Sequence, residues 1–219
     1  AVLLMLKVMT GYCDITGDDR VAPLVHRMLS AVHSHLQKNE LVKWARSRWF
    51  EGLISIFWLY ERCEEPWLLD LARILSDQGR DWISLFEQWP YKTSDYDGPY
   101  DHTSHVVNNA MMLRSGALLW RMTGERRHLE SAERMVALLD TYHGMITGVF
   151  SGDEHLAGNS PIQGTELCAV GEYMFSLEQL ISITGTSHWG DRLETIAYNA
   201  LPATFSPDMW THQYDQQVN

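Results

Sequence analysis

Residues 166–184 read ELCAVGEYMFSLEQLISIT, and Gly185 follows them. Apolar side chains recur in this stretch at steps of three and four positions, which places them on one stripe of an amphipathic α-helix. The stripe consists of Leu167, Val170, Met174, Leu177 and Ile181. A glycine directly after such a stripe readily takes the left-handed backbone conformation that ends many helices. The stretch therefore predicts a long helix that stops at Gly185.

The same pattern recurs along the chain, and this recurrence predicts the fold class. Stripes with helical spacing run through about eight segments, and no comparable run shows the two-residue period of a strand. The segments are approximately residues 3–10, 20–38, 50–60, 66–86, 103–122, 126–142, 166–184 and 188–200. We therefore predict an all-α chain.

The predicted helix ends form a weak internal repeat. A Thr-Gly pair ends an apolar stripe at residues 16–17, 123–124 and 184–185, and residues 62–66 take the equivalent place in a fourth unit. A few polar residues then lead into the next stripe. The pattern indicates four successive αα-hairpins, which cannot bury their apolar faces alone and must stack side by side. A helical toroid or solenoid follows.

The composition restricts the class of partner. The chain has 219 residues, of which 45% are hydrophobic and 21% charged, as in ordinary globular proteins. Its net charge is -11, and its 17 basic residues are scattered. Nucleic acids and anionic membranes both require a positive surface, so we expect neither as a partner. A neutral or cationic ligand fits better, and the sequence indicates no oligomeric state.

The cysteines and the chain ends bear on compartment and completeness. Cys13, Cys63 and Cys168 are odd in number and widely spaced, which predicts reduced thiols and favours a cytoplasmic location. Residues 1–6 form an apolar run too short for a membrane span, without the features of a signal peptide. Because the sequence lacks an initiator Met and ends without a helix cap, we expect a piece of a longer protein.

Chemically reactive side chains concentrate in the connection between the helices predicted at 126–142 and 166–184. It carries Glu154 and His155, and it ends at Glu166 with Cys168 two positions further on. Long irregular connections in compact helical domains are usually functional. In a row of antiparallel hairpins, the Thr-Gly turns lie at one end. The connections near 87–102 and 143–165 must then emerge together at the other end.

That second end also collects imidazole and aromatic groups. The additional residues are His102, His105, His143, Trp89, Tyr91, Tyr96 and Tyr100. Carbohydrate sites commonly combine such groups, because sugar faces stack on aromatic rings while sugar hydroxyls bind carboxylates. We therefore predict a cleft of this kind at this end of the hairpins.

Each of these residues also has a structural explanation. A lone cysteine at a helix start is commonly a small buried apolar side chain, and Glu154 can simply solvate a loop. His143 and His155 can be hydrogen-bonding groups of the connection, and His105 can be a satisfied histidine at a helix terminus. The residues taken singly leave both explanations open.

A family resemblance favours the functional explanation. The segments that carry it are GTELCAV at 164–170 with EYMFSLE at 172–178, ITG at 146–148 leading into GDE at 152–154, DRLE at 191–194 through AYNAL at 197–201, and the helix opened by SH at 104–105. Over residues 100–219 the chain resembles the β-L-arabinofuranosidase-type glycoside hydrolases. The preceding residues agree only in their hairpin rhythm.

The resemblance implies a fold, a cofactor and residue roles. The family's catalytic domain is an (α/α)6 toroid, the six-hairpin glycosidase architecture, and it binds zinc through one Glu and three cysteines. Glu166 and Cys168 match the first two zinc ligands, and Glu154 matches the general acid/base. The expected substrate-binding residues are His105, His143 and His155.

Two departures from the family pattern affect this assignment. The family's nucleophile is a zinc-bound cysteine in a downstream Cys-Cys pair, and no cysteine follows Cys168. A closed toroid needs about twelve helices where this chain offers about eight, so we expect residues 1–219 to be a partial catalytic domain that lacks both flanks. The spacing between Glu154 and Glu166 is also shorter than the family pattern leads us to expect.

The resemblance implies a retaining glycoside hydrolase that removes β-L-arabinofuranosyl residues from plant-type glycans with the help of zinc. Two alternatives stay open. One is a metal-free six-hairpin sugar epimerase that works through histidine general bases. The other is a non-catalytic helical array in which Cys168 is buried and Glu166 faces solvent. We expect the isolated chain to be inactive as a hydrolase.

Overall fold

The structure is a computed structural model that describes residues 1–89 and 100–217. It is mostly helical, as predicted, and it divides into two compact units, Ala1–Asp81 and Trp82–Asn219. Tyr91 and Tyr96, two of the aromatic residues expected at the site, lie outside the described residues. None of the described helices combines the length and apolarity that a bilayer crossing requires.

The first unit consists of stacked antiparallel helices. Its helices are α1 (Val2–Thr16), α2 (Val21–Leu36), α3 (Lys43–Ser47), α4 (Glu51–Cys63) and α5 (Pro66–Gln78). Helix α4 packs against α1, α2 and α5. Its apolar side chains, including Leu53 and Ile56, are fully buried against these neighbours. Burying such side chains is the main contribution that holds the hairpins together.

The second unit is organised around one central helix, Leu167–Thr184. Its helices are α6 (Trp82–Glu87), α7 (Val106–Met112), α8 (Ser115–Thr123), α9 (Arg126–His143), α10 (Leu167–Thr184) and α11 (His188–Tyr198), followed by a 3₁₀ turn at Pro202–Thr204. Helix α10 packs against α7, α8 and α11, and α9 packs against α6 and α8. The helix predicted over this stretch is confirmed, and Val170 and Leu177 of its predicted stripe are fully buried. The other stripe residues, Leu167, Met174 and Ile181, are only partly buried, because the buried face is centred on Tyr173 and Leu180.

Two long helices predicted from sequence are divided in the structure. The segment 66–86 ends as a helix at Gln78 and resumes at Trp82, and the indole N–H of Trp49 donates to the carbonyl of Arg80 in this break (2.9 Å). The segment 103–122 is divided into α7 and α8 around Arg114. The apolar period continues through both breaks, so the stripe alone predicts neither.

The break between α7 and α8 directs Arg114 into the interior of the second unit. Arg114 is fully buried, and its guanidinium pairs with the Glu172 carboxylate of α10 (2.7 Å) and donates to the Ser176 hydroxyl (2.8 Å). A buried charge is tolerated only when it is paired and hydrogen-bonded. The pair therefore fixes α10 against the start of α8.

The three Thr-Gly turns are confirmed and share one hydrogen-bond pattern. Gly17, Gly124 and Gly185 follow their helices with φ angles of 67 to 69°. In each turn the threonine hydroxyl donates to the carbonyl four residues earlier (2.6 to 3.0 Å). It also accepts the amide N–H two residues later (3.1 to 3.3 Å). The threonine thus closes the last helical turn while the glycine reverses the chain.

A small sheet, which the sequence pattern did not predict, lies in the second unit. Its strands are β1 (Gly152–Asp153), β2 (His155–Leu156), β3 (Thr165–Glu166) and β4 (Asp215–Gln216), in the order β2-β1-β3-β4. Strand β1 pairs antiparallel with β2 and parallel with β3, and β3 pairs antiparallel with β4. The sheet joins the connection between α9 and α10 to the segment after α11, at the start of α10.

The fourth helix end supplies a stability prediction. Glu64 follows α4 in the left-handed conformation, with a φ of 54°. A side chain with a Cβ pays roughly 1 kcal/mol or more in this conformation, whereas glycine does not. We expect Glu64→Gly to raise the free energy of unfolding by about 0.5 kcal/mol. Urea unfolding measures this change, with Glu64→Ala as the matched control because alanine removes the charge but keeps the Cβ. An equal gain in both variants would contradict the argument.

Candidate active site

The candidate site is assembled where the small sheet meets the ends of α7 and α10. Gly152 of β1 pairs with Thr165 of β3, which brings the Glu154 turn beside Glu166. Strand β2 forms a bridge to the start of α7 through His105 and His155. The prediction that the 143–165 connection and the segment before α7 meet at one end is therefore confirmed.

Glu154 forms the turn between β1 and β2 in a left-handed conformation, with a φ of 65°. Its carbonyl accepts the N–H of Val106 (2.8 Å), the first residue of α7. Such a backbone costs roughly 1 kcal/mol for a residue other than glycine, and strained residues of this kind cluster at functional sites. The turn fixes the backbone of Glu154 between the two helices.

The Glu154 carboxylate lies half-exposed among three donors. Tyr100 donates from its hydroxyl to Oε2 (3.0 Å), and the Tyr214 hydroxyl lies 3.5 Å from Oε1. His105 places Nε2 at 3.5 Å from Oε2. The side chain is 52% exposed in spite of these contacts. The group is therefore oriented by the protein and still open to a ligand.

His105 has a defined tautomer. It caps the N-terminus of α7, where its Nδ1 accepts the N–H of Asn108 (3.1 Å). Because Nδ1 is the acceptor, the proton of the neutral ring lies on Nε2, which faces Glu154. His105 therefore acts as a hydrogen-bond donor toward the candidate acid/base.

His155 belongs to the same cluster. Its Nδ1 lies 2.9 Å from the hydroxyl of Ser104, and its ring centroid lies 6.3 Å from that of His105. The Tyr100 ring lies 5.0 Å from the His155 ring. Both imidazoles are buried, with only their edges available, so Tyr100 provides the more open aromatic surface, at 44% exposure.

Glu166 and Cys168 differ in their exposure to solvent. Glu166 is buried, and Cys168, in the first turn of α10, is exposed. Oε2 of Glu166 is buried with no aligned hydrogen-bond donor in the described part of the chain. The alternative of a sealed thiol and an outward-facing acid is therefore wrong for this structure.

The pKa values of this pair report a desolvated and negatively charged environment. Desolvation raises the pKa of Glu166, and the nearby Glu154 charge adds to this effect, while hydrogen bonds from Tyr214 and Cys168 oppose it. Desolvation also raises the pKa of the Cys168 thiol, followed by the hydrogen bond to Glu166 and its charge. A cation beside them would lower both pKa values.

Glu166 and Cys168 have the donor chemistry that zinc prefers, a carboxylate oxygen and a thiolate. The unmatched Oε2 of Glu166 and the exposed sulfur two residues away fit half of a tetrahedral zinc site. Within residues 1–89 and 100–217, no group of three or more His, Cys, Asp or Glu side chains is placed to hold a metal. Two of the expected ligands are thus present as a pair.

His143 is not brought to the surface of the site. It is fully buried at the end of α9, and its Nδ1 accepts the N–H of Gly158 (2.9 Å). The ring of Trp89 packs edge-on against it, at 6.4 Å between centroids. In this structure His143 therefore supports the connection between α9 and α10. It has no exposed ring edge with which it could contact a sugar, as the sequence analysis expected it to do.

Two residues of the site were not predicted to act on the carboxylates. Tyr100 was noted only as an aromatic surface, and Tyr214 was not singled out at all. Tyr214 reaches the site because β4 pairs with β3, and a pairing between distant segments leaves no spacing signal in the sequence. For Tyr100, the sequence offered one indication of a role at the site, namely its position just before the helix that carries His105.

The site geometry agrees with a comparison of the sequence with known families. A model of the GH127 β-L-arabinofuranosidase catalytic domain matches residues 4–217. The chain belongs to this family. No curated protein sequence matches this GH127 chain significantly.

Solved structures resemble the GH127 chain at low sequence identity, and this likeness concerns the fold. It is similar to a GH127 β-L-arabinofuranosidase from Geobacillus stearothermophilus T6, with 16% identity, a TM-score of 0.70 and coverage of 99% of this chain and 39% of that one. An α-1,6-mannanase from Salegentibacter has 18% sequence identity and a TM-score of 0.61, with coverage of 90% of this chain and 58% of that one. A D-mannose isomerase has 8% sequence identity and a TM-score of 0.63, with coverage of 100% of this chain and 62% of that one. The predicted six-hairpin glycosidase class is confirmed, and the chain spans between 39% and 62% of these relatives' lengths.

His143 supplies a pH prediction. Burial lowers the pKa of His143 to about 4, from an ordinary value near 6.5. The unfolded chain therefore binds a proton that the folded chain refuses between these values, so stability falls as the pH drops from about 6.5 to about 4. We expect the native protein to lose about 2 kcal/mol more than His143→Asn between pH 7 and pH 4.5.

Urea unfolding at the two pH values measures this difference. The Asn side chain keeps an acceptor for the Gly158 N–H but does not titrate, so it isolates the imidazole. Parallel loss of stability in both proteins would show that His143 is protonated as easily when folded as when unfolded.

Proposed function

We propose that the complete protein is a retaining glycoside hydrolase that removes β-L-arabinofuranosyl residues from plant-type glycans. The observation that carries this proposal is the half-exposed Glu154 carboxylate, which three donors orient beside the Glu166–Cys168 pair. Membership of the GH127 family supports the sugar class. The carbohydrate is the substrate partner in this proposal.

Glu154 takes the role of general acid and then general base. In the first step its protonated carboxyl group gives a proton to the departing glycosidic oxygen, and the carboxylate that results then takes a proton from water. Its exposure lets it reach a bound sugar. The donors Tyr100 and His105 hold the carboxylate in one orientation.

Glu166 and Cys168 would hold zinc, which in such a site keeps a coordinating cysteine as a thiolate near neutral pH. Their raised pKa values are consistent with groups arranged to bind a cation. The resemblance assigns the nucleophile to another cysteine, and none follows Cys168 in this sequence. This chain therefore contributes the acid/base and part of the metal site.

The histidines have unequal roles in this proposal. His105 and His155 lie at the wall of the site and would orient sugar hydroxyls through their ring edges. His143 acts through the connection that it supports, since its ring is fully buried. A sugar would pack against the exposed face of Tyr100.

The epimerase alternative has less support. A metal-free epimerase needs an imidazole that is free to take a proton from the sugar. Nδ1 of His105 is already occupied as an acceptor, and its Nε2 carries the proton and faces a carboxylate. The likeness to a D-mannose isomerase concerns the fold alone. The open group of the site is a carboxylate, which favours hydrolysis.

The acid/base role of Glu154 is tested in the complete protein. We expect Glu154→Gln to lower kcat by about 10² to 10⁴ on a substrate with a poor leaving group, because the amide gives no proton to the departing oxygen. An activated aryl arabinofuranoside, which needs no such proton, should lose less in its first step. Asp153→Asn is the matched control, since Asp153 is the exposed carboxylate next in sequence. Normal turnover of the poor substrate by Glu154→Gln would remove the role.

The metal role is tested by zinc analysis. We expect about one zinc per complete chain and its loss in Cys168→Ser, because a hydroxyl is a far weaker zinc ligand than a thiolate. Cys63→Ser is the control, because Cys63 is also exposed but lies in the first unit. An active protein without zinc would instead support the epimerase.

A further inference from the structure

The chain between the 3₁₀ turn and β4 folds back on itself in a short hairpin. An antiparallel bridge between Phe205 and His212 closes this hairpin, and residues 206–211 form its tip. Across the tip, the N–H of Ser206 donates to the carbonyl of Thr211 (2.9 Å). Trp210 lies at the tip with its side chain outward, and the residue is 87% exposed.

Hydrogen bonds within the tip hold it in one shape. The Ser206 hydroxyl donates to the Asp208 carboxylate (2.6 Å) and accepts the N–H of Thr211 (3.0 Å). The same Asp208 oxygen accepts the backbone N–H of Trp210 (3.1 Å). Met209 takes the left-handed conformation, with a φ of 59°, which is unfavourable for a residue other than glycine. The backbone of Trp210 is therefore fixed by its neighbours, although its side chain is exposed.

The tip is continuous with the candidate site. Tyr214 follows Trp210 by four residues, so their Cα atoms lie at most about 14 Å apart. The Tyr214 hydroxyl lies 3.5 Å from Oε1 of Glu154, and its carbonyl accepts the N–H of Leu167 (2.8 Å) at the start of α10. Trp210 therefore lies at a distance from the site that a short oligosaccharide spans.

The exposure of Trp210 alone does not indicate a ligand, because single apolar side chains are common on protein surfaces. Tyr198, the last residue of α11, is 78% exposed and is such a case. Trp210 differs because a hydrogen-bonded tip fixes its backbone and connects it to the site. Its indole has a flat apolar face and one N–H donor, which suit the C–H face and the hydroxyl groups of a sugar. The chemistry favours a neutral carbohydrate as the ligand.

We propose that Trp210 binds the glycan that carries the cleaved sugar, on the leaving-group side of the site. This inference rests on the proposed function, in which Glu154 protonates the oxygen between the cleaved sugar and the remaining glycan. The remaining glycan therefore begins at the Glu154 carboxylate. Tyr214 contacts that carboxylate, and the chain before Tyr214 leads directly to Trp210. The substrate class is then an arabinofuranosyl group on a neutral oligosaccharide, and not on a small aglycone.

The first experiment compares substrates of different length in the complete protein. We measure kcat/KM on a β-L-arabinofuranosyl oligosaccharide and on an aryl β-L-arabinofuranoside, which is too short to reach the tip. In Trp210→Ala we expect the ratio of the first value to the second to fall by about tenfold, mainly through a higher KM for the oligosaccharide. Tyr198→Ala is the matched control and should keep the native ratio. An unchanged ratio in Trp210→Ala would overturn the inference.

The second experiment measures binding without turnover. In the Glu154→Gln protein, calorimetry gives the Kd of the same oligosaccharide. Adding Trp210→Ala should raise this Kd by about tenfold, and adding Trp210→Phe by about threefold, because phenylalanine keeps a flat ring but lacks the N–H donor. Equal Kd values with and without Trp210→Ala would contradict a binding role.

The outcomes distinguish this inference from the proposed function. Binding that depends on Trp210, in a native protein that hydrolyses no arabinofuranoside, would contradict the proposed function and retain a carbohydrate site at the tip. Hydrolysis with a native substrate ratio in Trp210→Ala would retain the proposed function and overturn the role of Trp210. A lower melting temperature in Trp210→Ala with a native ratio would show that Trp210 packs against another part of the complete protein, and would also overturn that role.

Discussion

The candidate site depends on the left-handed turn at Glu154. This single backbone conformation sends the carbonyl of Glu154 to the start of α7 and its carboxylate toward Tyr100 and His105. An ordinary extended backbone at this point would continue β1 and carry the carboxylate away from these partners. The roughly 1 kcal/mol cost of the turn is offset by the ladder and hydrogen bonds on both sides of it.

The surrounding helices make this turn rigid. Helix α10 presents Glu166 and Cys168 at its beginning, and the buried pair of Arg114 with Glu172 holds that helix against α8. On the other side of the turn, His105 caps α7, the helix whose first N–H donates to the Glu154 carbonyl. The site is thus built on the ends of helices whose interiors are held by packing, which is the arrangement that preserves geometry best.

Sequence reasoning predicted the features that depend on local physics. The Thr-Gly ends at Gly17, Gly124 and Gly185 were correct because a helix end is decided within a few residues. Hairpin geometry also brought the 143–165 connection to the start of α7, as expected. The division between α7 and α8 was missed, because the apolar stripe continues across Arg114 while a distant partner, Glu172, determines its path.

The site itself was predictable only in part. Glu154, Glu166 and Cys168 were located from their types and spacing, and the structure brings them together. The strands are two residues each, too short to show a period, so the pairing of β3 with β4 left no trace in the sequence. Tyr214 depends on that pairing. The burial of His143 was not predictable for a related reason, since the sequence does not tell whether a histidine at the end of α9 faces outward or accepts an N–H from the following connection, as His143 does from Gly158.

The sheet has a consequence for how the candidate site forms. Helical turns and hairpins form early because their contacts are close in sequence, whereas Glu166 meets Asp215 only after a segment of about 50 residues has been folded between them. The residues of the candidate site therefore come into register late, after the helices that flank them.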